Sequence, residues 1–259
     1  MNLVIDIGNT QAKAAIFFKN KIIALKFFHR GLDAPQLKFF LKENKKINSA
    51  ILCSVVNHSE KINSFLKSNF TFFEFSEKTK LPLVNLYKTP KSLGKDRLAN
   101  AAGANFLFPG RNVLSIDAGT CIKYDFVNSK NEYNGGSISP GFEMRFTALH
   151  QLTAKLPFIE KSKISKGALS LPLSGELIGK FFIGLSTHDS IFSGVHNGIM
   201  NEVSGVIKHY RKNFKNTIVI FTGGDSEFFK KSVSKKNCIF ADPFLTLRGL
   251  NRILNFNIE

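Results

Sequence analysis

The stretch LSIDAGT at residues 114–120 decides the fold, because the chain carries a second copy of it. Residues 3–10, LVIDIGNT, repeat the pattern of apolar residues, Ile, Asp, any residue and Gly, followed by Thr. Each copy runs into another apolar stretch, at residues 12–18 and at residues 122–127. A short apolar run followed by Asp-x-Gly predicts a hairpin whose turn uses the positive φ angles open to glycine. Two such hairpins, one near the start of each half, predict two related domains.

The two turns also suit phosphate binding. Backbone N–H groups in turns of this kind point outward, where they can hold phosphate oxygens. One strand followed by Asp and Gly is usually only a turn, whereas the paired copies favour two domains that face one another across a nucleotide. Lys13 is the lone charge in the second predicted strand. It is either a strand-end lysine that extends into solvent or a cation that faces the phosphates.

Length and composition favour two domains in a reducing compartment. A chain of 259 residues with 43% hydrophobic residues can bury two cores, and we place the domains at 1–112 and 113–259. The absence of an 18-residue apolar run and of a leader sequence predicts a cytoplasmic protein without a membrane span. Three isolated cysteines, Cys53, Cys121 and Cys238, predict buried free thiols, and the histidines show no metal-ligand spacing.

The formal net charge of +17 has two interpretations. The lysines and arginines are spread over several segments without a block of five or six like charges, which is typical of solvated lysine faces. The alternative is attraction of anionic ligands or nucleic acid. Because no RNA-binding aromatic signature accompanies the charge, we expect no specific nucleic-acid partner.

Periodicity predicts the same order of elements, βββαβα, in both halves. The first half has predicted strands at 3–7, 12–18, 22–28, 50–56 and 71–75, with helices at 34–45 and 60–67. The second half has predicted strands at 113–118, 122–127, 133–138 and 217–222, with helices at 143–153, 187–212, 226–232 and after Pro243. The second half also contains a lysine-rich insert at 154–185. The duplication predicts an α/β protein of two related domains.

Three further segments carry candidate chemistry. Asp96, just before the helical run at 98–104, either caps or charge-complements that helix or acts as a catalytic base, with Arg97 holding an anionic group. Glycine-rich loops at 135–141 and 221–225 are either connectors or places where a substrate, an adenine or a ribose approaches the backbone. The helix at 187–212 contains Gly194, Gly198 and Gly205, which predict close helix packing within the chain or across a dimer.

Taken in order, these residues resemble the type III pantothenate kinases of bacterial coenzyme A biosynthesis. The resemblance spans nearly the whole chain, and the ordered set of motifs is specific although each motif alone is weak. The matching motifs are Asp6-x-Gly8-Asn9-Thr10-x-x-Lys13, Tyr87, Gly94-Lys95-Asp96-Arg97, Asp117-x-Gly119-Thr120, Gly136-x-Ile138-x-Pro140-Gly141, Thr187 and Thr222-Gly223-Gly224.

The resemblance implies an acetate-kinase/hsp70/actin-like fold of two ribonuclease-H-like domains and ATP-dependent phosphorylation of pantothenate to 4'-phosphopantothenate. It implies a homodimer, Mg²⁺ with ATP, and a monovalent cation, K⁺ or NH₄⁺. Asp96 would be the proton acceptor, Asp117 the monovalent-cation ligand, and Asp6 the partner of Mg²⁺ through the phosphates. The implied ATP contacts are Asp6, Gly8, Asn9, Thr10, Lys13, Gly119, Thr120, Gly223 and Gly224. The implied pantothenate contacts are Tyr87, Gly94, Lys95, Asp96, Arg97 and Thr187.

Two residues depart from the family pattern. Cys121 stands where the family commonly has alanine, and Lys123 stands where it commonly has threonine. Lys123 adds a cation beside the predicted phosphate and potassium region. The alternative function is a non-catalytic accessory or regulatory protein of the same fold whose basic surface contacts nucleic acid. A sugar or acetate kinase fits the Asp-x-Gly turns but not residues 94–97.

Overall fold

The structure is a computed structural model that describes residues 1–29, 31–42, 46–160, 182–233 and 239–258. The chain forms two compact units. The first comprises Met1–Val113, Asp125–Gly135 and Phe244–Glu259, and the second comprises Leu114–Tyr124 and Gly136–Pro243. Two later segments therefore belong with the N-terminal half, and two contiguous domains at 1–112 and 113–259 stay a prediction.

The described strands and helices follow one another along the chain in this order. In chain order the strands are β1 (Asn2–Ile7), β2 (Ala12–Phe18), β3 (Lys21–Phe28), β4 (Ser49–Ser54), β5 (Thr71–Glu74), β6 (Val84–Asn85), β7 (Val113–Ala118), β8 (Cys121–Val127), β9 (Glu132–Pro140), β10 (Ile218–Thr222) and β11 (Ile239–Ala241). The helices are α1 (Ala34–Leu41), α2 (Glu60–Asn69), α3 (Lys95–Leu107), α4 (Phe142–Gln151), α5 (Thr187–Asn213), α6 (Ser226–Val233) and α7 (Leu245–Ile258), with a short 3₁₀ turn at Pro90–Ser92.

The first sheet has the strand order β3-β2-β1-β4-β5. β1 and β2 form an antiparallel hairpin, and β4 and β5 continue parallel to β1. Leu3, Val4 and Ile5 of β1 are completely buried because this strand lies in the middle of the sheet. Parallel central strands are covered on both faces, which explains why β1 reads as a continuous apolar run up to Asp6.

The second sheet repeats that order. Its strands run β11-β10-β7-β8-β9-β6, so β9-β8-β7-β10-β11 corresponds strand for strand to the first sheet. β6 is an additional edge strand, parallel to β9. The strands β6 and β11 were not predicted, because they contain two and three residues and are too short to show periodicity. The duplicated arrangement predicted from the two Asp-x-Gly hairpins is present in both sheets.

Helices α3 and α7 meet backbone to backbone within the first unit. A Cβ atom on Gly249 would lie 1.7 Å from the carbonyl oxygen of Ala99, and one on Gly103 would lie 2.6 Å from the carbonyl oxygen of Leu245. Glycine on both helices allows an approach that any side chain would prevent. This packing attaches the C-terminal helix to the N-terminal half of the chain.

Several expectations about individual segments change. Helix α1 ends at Leu41 instead of residue 45, and residues 43–45 and 161–181, most of the predicted insert, lie outside the described residues. Cys238 lies outside them as well. Cys53 is buried as expected, but Cys121 is only half-buried, because it opens β8 directly after the turn; its Sγ lies 3.6 Å from Sδ of Met144.

The glycines of α5 face open space within the described chain. No described atom lies within 4 Å of a Cβ placed on Gly194 or Gly205, and at Gly198 only Nη1 of Arg145 comes within 3.8 Å. Close packing inside the described chain therefore does not account for these glycines, and the homodimer stays a prediction. No helix among the described residues is long and apolar enough to cross a membrane.

Candidate active site

The first Asp-x-Gly turn joins β1 to β2 and brings Asp6 opposite Lys13. The two residues are directly paired in the antiparallel register, so their side chains share one face of the sheet. The N–H of Gly8 donates to the carbonyl oxygen of Gln11 at 3.1 Å and closes the turn. The expected positive φ is wrong for both Asp-x-Gly turns, because neither Gly8 nor Gly119 has one. Asn9 and Thr10 are exposed at its tip. The turn therefore presents one carboxylate and one ammonium next to exposed backbone.

Asp96 lies in the first turn of α3, but it is not the N-cap. Gly94 takes the cap position without a side-chain hydrogen bond, and Oδ1 of Asp96 accepts from the N–H of Arg97 at 3.0 Å. The cap interpretation is therefore corrected. A carboxylate in the first helical turn still complements the helix dipole, and a chemical role remains compatible with this position.

Asp6, Lys95 and Asp96 all lie near Cys53 in the first unit. Asp6 pairs with Cys53 across the parallel strands β1 and β4. Burial raises the pKa of the Cys53 thiol well above its ordinary value, the charges of Asp6 and Asp96 raise it further, and Lys95 lowers it. Because all three charges act on this one thiol, Asp6 lies in the same neighbourhood as Lys95 and Asp96, which stand much later in the sequence.

A cavity of about 1010 Å³ opens beside the start of α3. Its wall includes Gly94 and Lys95 together with the loop that follows β4, and the complete lining is Ser54, Val55, Val56, Asn57, His58, Glu60, Glu74, Leu93, Gly94 and Lys95. The contribution of this loop was not predicted from the sequence. Its position at the carboxyl end of a parallel strand is the signal that could have identified it, since ligands bind there in α/β sheets.

The guanidinium of Arg97 points to a buried carboxylate, Asp125, which was not predicted as a site residue either. Its Nε donates to Oδ1 of Asp125 at 2.8 Å, Nη2 lies 2.7 Å from the same oxygen, and Oη of Tyr133 donates to it at 2.6 Å. Arg97 is 4% exposed and Asp125 is 1% exposed. The group predicted to hold a substrate anion therefore forms an internal ion pair, and a direct substrate contact by Arg97 stays a prediction.

The protonation of this pair follows from burial and charge. Burial raises the pKa of Asp125 to about 6, although the hydrogen bond and charge of Arg97 oppose the increase. Burial alone would lower the pKa of Arg97, but the hydrogen bond and charge of Asp125 raise it above its ordinary value. Each group therefore favours the charged form of the other.

Tyr87 packs onto the same cluster. The guanidinium carbon of Arg97 lies 5.6 Å from the centroid of the Tyr87 ring, which also stacks on Tyr133 with centroids 6.3 Å apart. Gly135, at φ 93°, lies against the ring, because a Cβ there would be 3.0 Å from Cδ2 of Tyr87. The predicted substrate tyrosine is thus held in place by Arg97, Tyr133 and Gly135.

The second Asp-x-Gly turn is enclosed by other glycines of the second unit. The N–H of Gly119 donates to the carbonyl oxygen of Cys121 at 3.0 Å. A Cβ on Gly141 would lie 2.2 Å from the carbonyl oxygen of Gly119, and one on Gly223 would lie 2.5 Å from Oδ1 of Asp117. Asp117, Gly119 and Gly223, predicted from separate motifs, are therefore neighbours. Thr120 and Gly224 are exposed beside them.

Thr187 begins α5 and lines a groove of about 650 Å³ in the second unit. The groove is bounded by Arg145, Ala148, Leu149, Leu156, Thr187, Ser190, Ile191, Gly194 and Val195. Arg145 forms an ion pair with Glu202, which also accepts from Oη of Tyr124 at 2.7 Å and from Oγ of Ser139. Burial would raise the pKa of Glu202, but these three donors lower it below its ordinary value. The network fixes the charged edge of the groove.

Comparison with known proteins identifies the family. The family model of the type III pantothenate kinases matches residues 2–209. This chain belongs to the type III pantothenate kinase family. A type III pantothenate kinase of Phocaeicola vulgatus is 42% identical over 259 residues, covering 99% of both chains, and one of Christiangramia forsetii is 41% identical over 257 residues, again covering 99% of both. The resemblance stated from the motifs is confirmed.

The fold prediction is confirmed by solved structures. A ROK family glucokinase from Streptomyces griseus, in complex with glucose and AMPPNP, superposes with a TM-score of 0.53 at 10% identity and covers 99% of both chains. At this identity the likeness concerns the fold alone. It agrees with the acetate-kinase/hsp70/actin-like architecture that the family resemblance implies.

The residues present suit the predicted Mg²⁺ but not the predicted monovalent cation. Mg²⁺ in such enzymes is held by one or two carboxylates together with substrate phosphates, and Asp6, half-buried at the end of β1, fits that requirement. No group of three or more His, Cys, Asp or Glu side chains in the described part of the chain forms a cage of its own. The monovalent-cation site predicted at Asp117 does not fit, because its Oδ2 already lies 2.7 Å from Nζ of Lys123.

Proposed function

We propose that this type III pantothenate kinase transfers the γ-phosphoryl group of ATP to the primary hydroxyl of pantothenate, the first step of coenzyme A biosynthesis. One observation supports the choice of catalytic residues: Asp6 pairs with Cys53 across the sheet, and the charges of Lys95 and Asp96 act on the same thiol. Family membership supplies the substrate pair, since the relatives are named for pantothenate.

Phosphoryl transfer needs positioning and charge neutralisation more than covalent help. In the first unit, Lys13 and the N–H groups of the turn around Gly8, Asn9 and Thr10 would bind phosphate oxygens. Mg²⁺ held through Asp6 and the phosphates would neutralise the charge that develops on the transferred group. In the second unit, we assign ATP contacts to Gly119, Thr120, Gly223 and Gly224.

Asp96 is assigned as the proton acceptor. As the pantothenate hydroxyl oxygen bonds to the γ-phosphorus, the bond from that phosphorus to the ADP oxygen breaks, and the hydroxyl proton passes to the Asp96 carboxylate. The cavity beside Gly94 and Lys95 supplies space for the acceptor.

Tyr87 and Thr187 are assigned as pantothenate contacts, and Arg97 is assigned a positioning role. The Arg97 guanidinium lies against the Tyr87 ring and is fixed from behind by Asp125. A half-buried aromatic ring held on several sides presents its hydroxyl at a defined place. Arg97 therefore acts through Tyr87 in this proposal.

The homodimer and the cytoplasmic location belong to the proposal as well. The open positions at Gly194 and Gly205 on α5 support packing against a second copy. The molar mass of the purified chain by light scattering measures this assembly, and a stable monomer would contradict it.

Replacement of Asp96 by asparagine tests the proposed chemistry. Asp96→Asn keeps the size but removes the proton acceptor, so kcat for pantothenate should fall by about 10²–10⁴-fold, the usual contribution of a general base. KM should change less, because Tyr87 and Thr187 are untouched. Asp33→Asn is the matched control: Asp33 caps α1, and asparagine caps comparably well. A folded Asp96→Asn variant with parental kcat would contradict the assignment.

A further inference from the structure

Lys123 and Asp117 form an ion pair at the second Asp-x-Gly turn. Lys123 lies on β8 and Asp117 on the neighbouring strand β7, and Nζ is 2.7 Å from Oδ2. The two side chains are 20% and 15% exposed. Partial burial reduces solvent screening, so this pair interacts more strongly than an ion pair on the open surface.

The other oxygen of Asp117 faces the backbone. A Cβ on Gly223 would come within 2.5 Å of Oδ1 and within 2.4 Å of the carbonyl oxygen of Ala118. The N–H of Asp225 donates to that same carbonyl oxygen at 3.0 Å. The carboxylate therefore lies between the ammonium of Lys123 on one side and the glycine loop on the other.

A lysine ammonium and a bound monovalent cation satisfy the same requirement at a carboxylate. Each brings one positive charge, and NH₄⁺ has the same donor chemistry as the lysine headgroup. Threonine at position 123 would instead offer a hydroxyl oxygen, which is a ligand for a hard cation. The residue at this position thus decides whether Asp117 faces a tethered charge or a free ion.

We propose that Lys123 is a built-in cation that replaces a monovalent ion at Asp117, so that this chain works without K⁺ or NH₄⁺. The activity part of this inference rests on the proposed function. The ion-binding part concerns the folded chain alone and is measured without substrate.

The test compares the parent with Lys123→Thr, in KCl and in tetramethylammonium chloride at equal ionic strength. In the parent, the thermal midpoint and the rate of ADP release should be the same in both salts. In Lys123→Thr, KCl should raise the midpoint, because an ion that binds only the folded state stabilises it. Without K⁺ the variant's kcat/KM should fall on the order of 10²-fold, as for the loss of one charge-stabilising group, and KCl should restore it.

Lys155→Thr is the matched control, since Lys155 is exposed and remote in sequence from the turn. It should behave as the parent in both salts. A parent whose rate or midpoint increases specifically with K⁺ would overturn the inference, and so would a folded Lys123→Thr variant whose midpoint is the same in both salts. If Lys123→Thr does not fold, the parent's K⁺ response alone decides the inference. A parent without pantothenate-dependent ADP release would reject the proposed function instead, while the midpoints would still test the ion site.

Discussion

Arg97 and Asp125 form an ion pair that water scarcely reaches. Both side chains are at most 5% exposed, and Tyr133 donates a hydrogen bond to the same carboxylate oxygen. Loss of one partner from such a pair leaves an uncompensated charge in the interior, which costs far more than an exposed ion pair contributes. The pair therefore stabilises the first unit and also fixes Tyr87.

Asp125→Asn should lower the free energy of unfolding by about 3–5 kcal/mol, because the Arg97 charge stays buried without its counter-charge. Urea denaturation monitored by circular dichroism measures the change. KM for pantothenate should also increase more than kcat decreases, since the ring of Tyr87 loses its fixed neighbour. Asp33→Asn, the same chemical change at a helix cap, should cost no more than a few tenths of a kcal/mol. Equal losses in the two variants would contradict the buried-charge account.

The sequence identified single residues well where a local pattern marked them. Asp6 and Lys13 are joined by a short turn, so their pairing follows from the hairpin. Asp125 was missed because its partner Arg97 stands 28 residues earlier, and no local pattern joins the two. A charged residue inside an otherwise apolar strand is the signal that could have indicated a buried ion pair.

At the level of elements, the close contact between α3 and α7 leads to a specific prediction about stability. A methyl group on Gly249 would overlap the carbonyl oxygen and carbon of Ala99 and the nitrogen of Gly103. These are backbone atoms, so the two helices must separate to admit it. Overpacking of this kind lowers the free energy of unfolding by about 1–3 kcal/mol, and backbone atoms cannot move aside as a flexible side chain would.

Gly249→Ala should therefore destabilise the protein by at least about 1 kcal/mol in urea denaturation. Ser64→Ala on α2 is the control, because Ser64 is an exposed residue in the interior of a helix. Alanine is a better helix former than serine, so the control should leave stability unchanged or increase it. Destabilisation of the same size in both variants would show that the α3–α7 contact is not the cause.

Long elements could be predicted from the sequence and short ones could not. The strands around the two Asp-x-Gly turns and the helix α5 agree with the predicted ranges to within one residue or so, because each carries a clear apolar pattern. The edge strands β6 and β11 depend on pairing with a neighbour, which their own few residues do not reveal.

For the whole molecule, duplication could be predicted and the division into compact units could not. The repeated hairpins predict the repeated strand order. The return of Asp125–Gly135 and Phe244–Glu259 to the first unit depends on contacts between distant segments, such as the one between α3 and α7. The motifs predicted a nucleotide-dependent kinase, and the match to the type III pantothenate kinase family agrees with that prediction.

Phosphate transfer by the purified full-length chain tests the central claim most directly. ADP release from ATP should require pantothenate, should match it one for one, and should be absent with acetate or glucose as the acceptor. Mass spectrometry should show one added phosphoryl group on pantothenate, about 80 Da, as expected for transfer to a hydroxyl. A rate of ADP release that is independent of pantothenate, or that is equal with acetate or glucose as the acceptor, would contradict the account.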